Sequence, residues 1–297
     1  MINDLRQVDN HHMYSLSSRV KAVVWTGLLA LGLTMFAGGI WTTLLIANLA
    51  TSPAIPWAVM VMAFFLWLMW QYLGGKWWPR STREARRRYL RANPVPGQVF
   101  AWAVLAGTLS VVGLAGFWIV LFQLVKIRGN VLPDFSKYPW LTVVLALVMA
   151  SVVSSVAEEA GFRGYFQSAL ERAFIFPAAI VIQCLVIALP HGLTQGFNWP
   201  TLLFYFLVDL MLGVTAYLTN SILPGIVIHS MGLLIFFALV WPGDRSRLLV
   251  TDGSADGWFW IHTTQVIIFT VLAILAFRHL ARVTQGARVS RASSTDS

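Results

Sequence analysis

The residues of this chain best suited to chemistry are two adjacent glutamates, Glu158 and Glu159, followed by Arg163 at the end of a long apolar run. Ionisable side chains at membrane depth are costly and usually serve a function. On a helix, Glu159 and Arg163 are four residues apart, so they share a face and can pair. Glu158 points about 100° away and is free to face a cavity. The alternative interpretation is a structural Glu–Arg clamp, with Glu158 reaching towards the membrane interface.

Two histidines, His191 and His229, also lie in or beside apolar runs, each after a proline. Glutamate and histidine are ligands of catalytic Zn²⁺, which keeps one position for water, so Glu158, His191 and His229 form a candidate zinc site. The same groups can act without a metal. Glu158 and His191 would then deprotonate a water molecule while His229 stabilises the oxyanion. The spacing contains no His-Glu-x-x-His signature, and both alternatives stay open.

Asp209 is a further charge within an apolar run. It is interpreted either as a supporting, proton-handling group of the same cavity or as a protonated residue of helix packing. Residue counting at about 1.5 Å per residue puts Glu158 and His191 at one depth. The same count puts His229 closer to the turn before its own helix, by about 10 Å, than Glu158 and His191 are to theirs.

The composition indicates a membrane protein that crosses the bilayer several times. Of the 297 residues, 58% are hydrophobic and 11% are charged, whereas a soluble domain has about 25% charged residues. The net charge is +9, but the cations cluster between apolar runs, which favours topology signals and contacts with membrane lipids over nucleic-acid binding. Cys184 is the single cysteine, so an internal disulfide is excluded.

Counting about 20 apolar residues per crossing predicts an all-α bundle of about eight transmembrane helices. Their predicted ranges are 22–49, 54–74, 98–125, 139–160, 176–192, 200–218, 222–241 and 257–277. The fifth and sixth helices are predicted to be broken at Pro190 and Gly213, as is typical of helices that line a site.

An even number of crossings places both termini on one side of the membrane. That side carries 16 of the 21 lysines and arginines, seven of them between Lys76 and Arg91. The opposite side keeps five, which are Lys126, Arg128, Lys137, Arg245 and Arg247. The positive-inside rule therefore predicts cytoplasmic termini, in a bacterial-type plasma membrane.

The run from Glu158 to Gln167 resembles the first motif, Glu-Glu-x-x-x-Arg, of the CPBP intramembrane proteases, the CAAX prenyl endopeptidase and bacteriocin-processing (Abi) family. The second motif, Phe-x-x-x-His, is similar to Ile187–His191. The third motif is a histidine followed four residues later by asparagine or a similar polar residue. Here His229 is followed by Leu233, so the polar residue is replaced by leucine.

The resemblance implies an intramembrane endopeptidase that cuts a membrane-associated or lipidated protein substrate. It implies that Glu158 activates water, that His191 binds or orients it, and that His229 supports the oxyanion or a metal. Glu159 and Arg163 would be structural partners. The resulting division of the chain is a cytoplasmic segment 1–21, helices 22–138 with a basic loop 75–97, a catalytic core 139–241, a loop and final helix 242–277, and a cytoplasmic tail 278–297.

Two other functions compete with the peptidase. Leu233 favours a catalytically inactive membrane scaffold or immunity protein that keeps the fold. A small transporter could use Glu158, Asp209 and the histidines as a proton relay, although the sequence has no obvious inverted repeat.

Overall fold

The computed structural model describes residues 16–125, 135–240, 249–253 and 255–295, and within these ranges all regular structure is helical. The prediction of an all-α fold is therefore confirmed. The α-helices are α1 (Leu16–Thr51), α2 (Trp57–Leu73), α3 (Arg83–Leu90), α4 (Gly97–Leu124), α5 (Trp140–Glu158), α6 (Gln167–Ala173), α7 (Phe176–Gln195), α8 (Trp199–Thr219), α9 (Leu223–Ile235) and α10 (Gly257–Thr295). Two π-helical segments, Glu159–Phe166 and Phe236–Val240, continue α5 and α9.

The described residues include seven helices long and apolar enough to cross a membrane. The shorter apolar helix α2 has 17 residues, at the lower end of the length range for a membrane crossing. Large apolar side chains cover the outside of the bundle, for example Trp25, Phe36 and Met60. This protein is an integral membrane protein, and the predicted bundle of about eight helices is confirmed.

The predicted breaks at Pro190 and Gly213 are wrong, because α7 and α8 run through both positions. Proline is tolerated in a membrane helix where neighbouring groups satisfy the backbone carbonyl that it leaves free. Gly213 serves close packing instead: a Cβ atom there would come within 2.9 Å of Ile180 on α7. The final helix also differs from its prediction, since α10 continues past residue 277 to Thr295.

One continuous helix forms the centre of the fold, made of α5, the π-helical segment Glu159–Phe166 and α6. All eight residues of that π-helical segment are buried. Helices α1, α3, α7 and α8 pack against it, while α9 packs against α5. Single π-helical turns inside α-helices are frequent at functional sites. Here the π-helical segment begins at Glu159, directly after Glu158.

The membrane orientation stays a prediction. Arg6, Lys126, Arg128, Arg245 and Arg247, which entered the count of cations on the two sides, lie outside the described residues.

Candidate active site

A cavity of about 170 Å³ lies between α4, α5, α7, α8 and α9. Most of its wall is apolar, and its lining includes Glu158, His191, Asp209 and His229. The structure thus brings four of the six predicted site residues to one cavity. A mostly apolar pocket with a few convergent polar groups is typical of a binding or catalytic site.

His229 is placed between the two glutamates. Its Nδ1 lies 3.1 Å from Glu159 Oε1, and because an ionised carboxylate only accepts, we assign the proton to Nδ1, which donates this bond. Its Nε2 lies 3.8 Å from Glu158 Oε2. That separation is too long for a direct hydrogen bond, but one water molecule can contact both atoms. Glu159 therefore fixes the histidine ring, and Glu158 remains available to the cavity.

Arg163 lies behind the cavity and holds two carboxylates. Its guanidinium Nη1 is 3.4 Å from Glu159 Oε1, and its Nη2 donates a hydrogen bond to Asp209 Oδ1. The side chains of Glu159 and Arg163 are fully buried. The predicted pairing of Glu159 with Arg163 is present, and Asp209 both lines the cavity and pairs with the arginine. Charges of opposite sign can be buried together because their attraction offsets part of the cost of removing them from water.

Residue counting placed His229 at the wrong depth. The expected offset of about 10 Å from Glu158 contrasts with the 3.8 Å between their side-chain atoms. The count assumed α-helical rise throughout and ignored the reach of the two side chains, and the helix that carries Glu158 changes to π-helical winding at Glu159.

Gly225, near the start of α9, allows this helix to approach Glu159. A Cβ atom at this position would come 2.5 Å from Glu159 Oε2, well inside van der Waals contact. Only glycine lets the backbone of α9 pass so close to the buried carboxylate. Sequence reasoning predicted a helix over 222–241 and missed the requirement at Gly225.

His191, on α7, makes an aromatic contact in the cavity wall. Its ring stacks on Tyr205, with centroids 3.6 Å apart and planes inclined by 1°. Sequence reasoning missed Tyr205, although a signal was present: Tyr205 precedes Asp209 by four residues and so shares its face of α8.

The donor geometry bears on the predicted zinc site. In the ranges that the structure covers, no three histidine, cysteine, aspartate or glutamate side chains are grouped closely enough to hold a metal ion. Glu158, His191 and His229 line one cavity without forming a preassembled set of ligands. Zinc binding stays a prediction.

The described residues thus form an all-helical membrane bundle that encloses glutamate and histidine side chains in a mostly apolar cavity. Residues 139–235, less than half of the chain, match the model of the family described as type II CAAX prenyl endopeptidase Rce1-like. This segment carries all six predicted site residues, and the match supports the resemblance to the CPBP family. Searches of curated proteins and of solved structures found no match.

Proposed function

We propose that this protein is an intramembrane endopeptidase that hydrolyses a peptide bond of a membrane-associated or lipidated protein. The observation that carries the proposal is the pair of Glu158 Oε2 and His229 Nε2, 3.8 Å apart on one cavity. The family match over residues 139–235 supports the same reaction class. We further propose that the protein resides in a bacterial-type plasma membrane with both termini cytoplasmic.

In the proposed reaction, a water molecule between Glu158 and His229 attacks the carbonyl carbon of the substrate. Glu158 takes one proton from this water as its oxygen forms the new C–O bond. The carbonyl oxygen becomes an oxyanion, which His191 or a protonated His229 can stabilise by donating a hydrogen bond. Glu158 then returns the proton to the peptide nitrogen as the C–N bond breaks, which restores the carboxylate and releases an acid and an amine.

The buried groups prepare this arrangement before the substrate binds. Glu159 keeps the Nδ1–H tautomer of His229, so that Nε2 is directed to Glu158. Arg163 pairs with both Glu159 and Asp209 and offsets part of their negative charge. Fixed charges and hydrogen-bond donors accelerate a reaction because they need not reorganise during it.

A metal-dependent variant of the proposal uses Zn²⁺ held by Glu158, His191 and His229, and bound zinc would supply an activated water. The side chains would have to draw together, because they do not form a ligand cluster as placed. Metal analysis of the purified, active protein separates the two variants.

A comparison of terminal peptides tests the proposed function. Membranes from cells that express the wild-type protein or the Glu158→Ala variant at equal levels would be compared by terminal-peptide proteomics. New peptide termini that depend on Glu158 would establish a protease and identify its substrates. Identical termini, with both proteins folded, would refute the proposal.

A second candidate function rests on Leu233. This leucine lines the cavity at the position where the family motif has a polar side chain. An apolar side chain there removes a hydrogen-bonding group from the site. A catalytically inactive scaffold or immunity protein that retains the fold is therefore the alternative.

The variant Leu233→Asn tests how much the leucine at this position lowers the cleavage rate. If the protein is a peptidase, the added amide should speed cleavage by about tenfold or more, since one oxyanion donor is worth about 10²–10³ in rate. Initial cleavage rates in reconstituted vesicles provide the measurement. Leu234→Asn, which puts the same amide on the exposed neighbouring position of α9, is the control. A rate for Leu233→Asn no higher than wild type would show that the missing polar group is not limiting.

A further inference from the structure

We propose that Arg91 is a positioning residue of the active site, which sets the register of the histidine-bearing helix α9 against the helix that carries Glu158. This inference rests on the proposed peptidase function. Arg91 lies outside the segment 139–235 that matches the family.

The side chain of Arg91 joins two elements of the core. Its Nη1 and Nη2 lie 3.2 and 3.1 Å from the two carboxylate oxygens of Glu171 on α6. Its Nε donates a hydrogen bond of 3.0 Å to Asn220 Oδ1, in the turn before α9. Arg91 is only 6% exposed. A buried two-pronged pair between arginine and a carboxylate fixes both distance and angle.

The backbone around Arg91 holds the same turn. Arg91 adopts the left-handed conformation, with φ of 60°, and its carbonyl accepts a 3.1 Å hydrogen bond from Ile222 N–H. Asn93 Nδ2 donates to Asn220 O at 2.8 Å, and Ser221 Oγ donates to Asn93 O at 2.7 Å. The turn that starts α9 is thus tied to residues 91–93 by backbone and side-chain bonds together.

Glu171, the partner of Arg91, is connected by hydrogen bonds to the other helices of the site. Gln167 Nε2 donates to Glu171 Oε1 at 2.7 Å and to Gly213 O on α8 at 2.9 Å. Helix α8 carries Asp209, and α6 continues the helix of Glu158. One hydrogen-bonded chain from Arg91 therefore reaches the helices of Glu158, Asp209 and His229.

This arrangement affects the position of His229 because α9 moves as a rigid helix. His229 lies seven residues beyond Ile222, within one uninterrupted α-helix, so a shift of the turn is transmitted to the imidazole ring. Gly225 lies so close to Glu159 that α9 cannot move nearer to this carboxylate. A displacement of about 1 Å at reacting groups can cost about 10² in rate.

The test compares Arg91→Lys with Arg87→Lys in the full-length protein. Lysine keeps the charge but cannot make the two-pronged contact, whereas Arg87 is exposed on α3 and serves as the matched control. Two quantities would be measured: the ¹³C-methyl NMR signal of Met231, two residues after His229 on α9, and the kcat and KM of cleavage of a substrate peptide. Met231→Leu assigns the signal.

We expect Arg91→Lys to shift the Met231 signal and to lower kcat by about 10- to 100-fold, with KM changed by less than about twofold. Arg87→Lys should match the wild type in both measurements. Glu171→Gln, which removes the partner charge, should reproduce the change of Arg91→Lys.

A wild-type Met231 signal together with wild-type kcat in Arg91→Lys would overturn the proposal. An equal change in kcat and in the fraction of folded protein would also overturn it, since Arg91 would then act only on stability. The NMR measurement needs no substrate. A shifted Met231 signal in a protein whose wild type cleaves nothing would therefore refute the peptidase function while supporting the placement of α9 by Arg91.

Discussion

Replacing Glu158 by glutamine is expected to lower kcat for peptide cleavage by about 10²–10⁴-fold, the usual contribution of a general base. Glutamine has nearly the same shape, but its amide cannot take a proton from water. Glu158 lines the cavity and has no direct hydrogen bond to His229, with 3.8 Å between the two side chains. The loss should therefore fall on the chemical step. Steady-state kinetics of the purified protein in vesicles would measure it.

Glu84→Gln is the matched control, because Glu84 is an exposed glutamate on α3. It should retain the wild-type kcat. The single cysteine, Cys184, is buried, so a thiol-reactive dye can confirm that both variants remain folded. Wild-type activity in folded Glu158→Gln would remove Glu158 from the mechanism.

Replacing Arg163 by methionine is expected to destabilise the folded protein by about 3–5 kcal/mol, the usual cost of breaking a buried ion pair. Arg163 is fully buried and pairs with both Glu159 and Asp209. Without it, two carboxylates would share an apolar interior with no cation. The temperature at which Cys184 becomes reactive to a thiol dye would report the loss.

Two further variants separate charge from packing. Arg88→Met removes an exposed arginine from α3 and should leave the unfolding temperature nearly unchanged. Adding Asp209→Asn to Arg163→Met removes one of the stranded charges and should recover part of the stability. An Arg163→Met protein as stable as the wild type would show that the buried charges are compensated in another way.

Local patterns in the sequence were sufficient for the long apolar helices and for naming six candidate residues. Membrane helices are predictable because every backbone polar group in lipid must be satisfied within the segment, so a long apolar run has few alternatives. The motif Glu158, Glu159 and Arg163 is similarly local: spacing of four on a helix places Glu159 and Arg163 on one face, and the structure contains that pair.

Interactions between distant segments were not predictable in this way. The approach of His229 to Glu159 depends on Gly225, on the π-helical turn at Glu159 and on the turn held by Arg91. None of these has a periodic signal, since each reflects how two helices meet. The error in the depth of His229 and the wrong break at Gly213 have the same origin.

The sequence by itself determined that this is an all-helical membrane protein with Glu158, Glu159 and Arg163 close together at the end of an apolar run, because lipid restricts both backbone and charge. Only the tertiary structure decided which groups meet: His229 with the two glutamates, Asp209 with Arg163, and Arg91 with the turn before α9. The physical reason is that helix periodicity fixes the face of a residue within its own helix, while depth and partner depend on packing between helices.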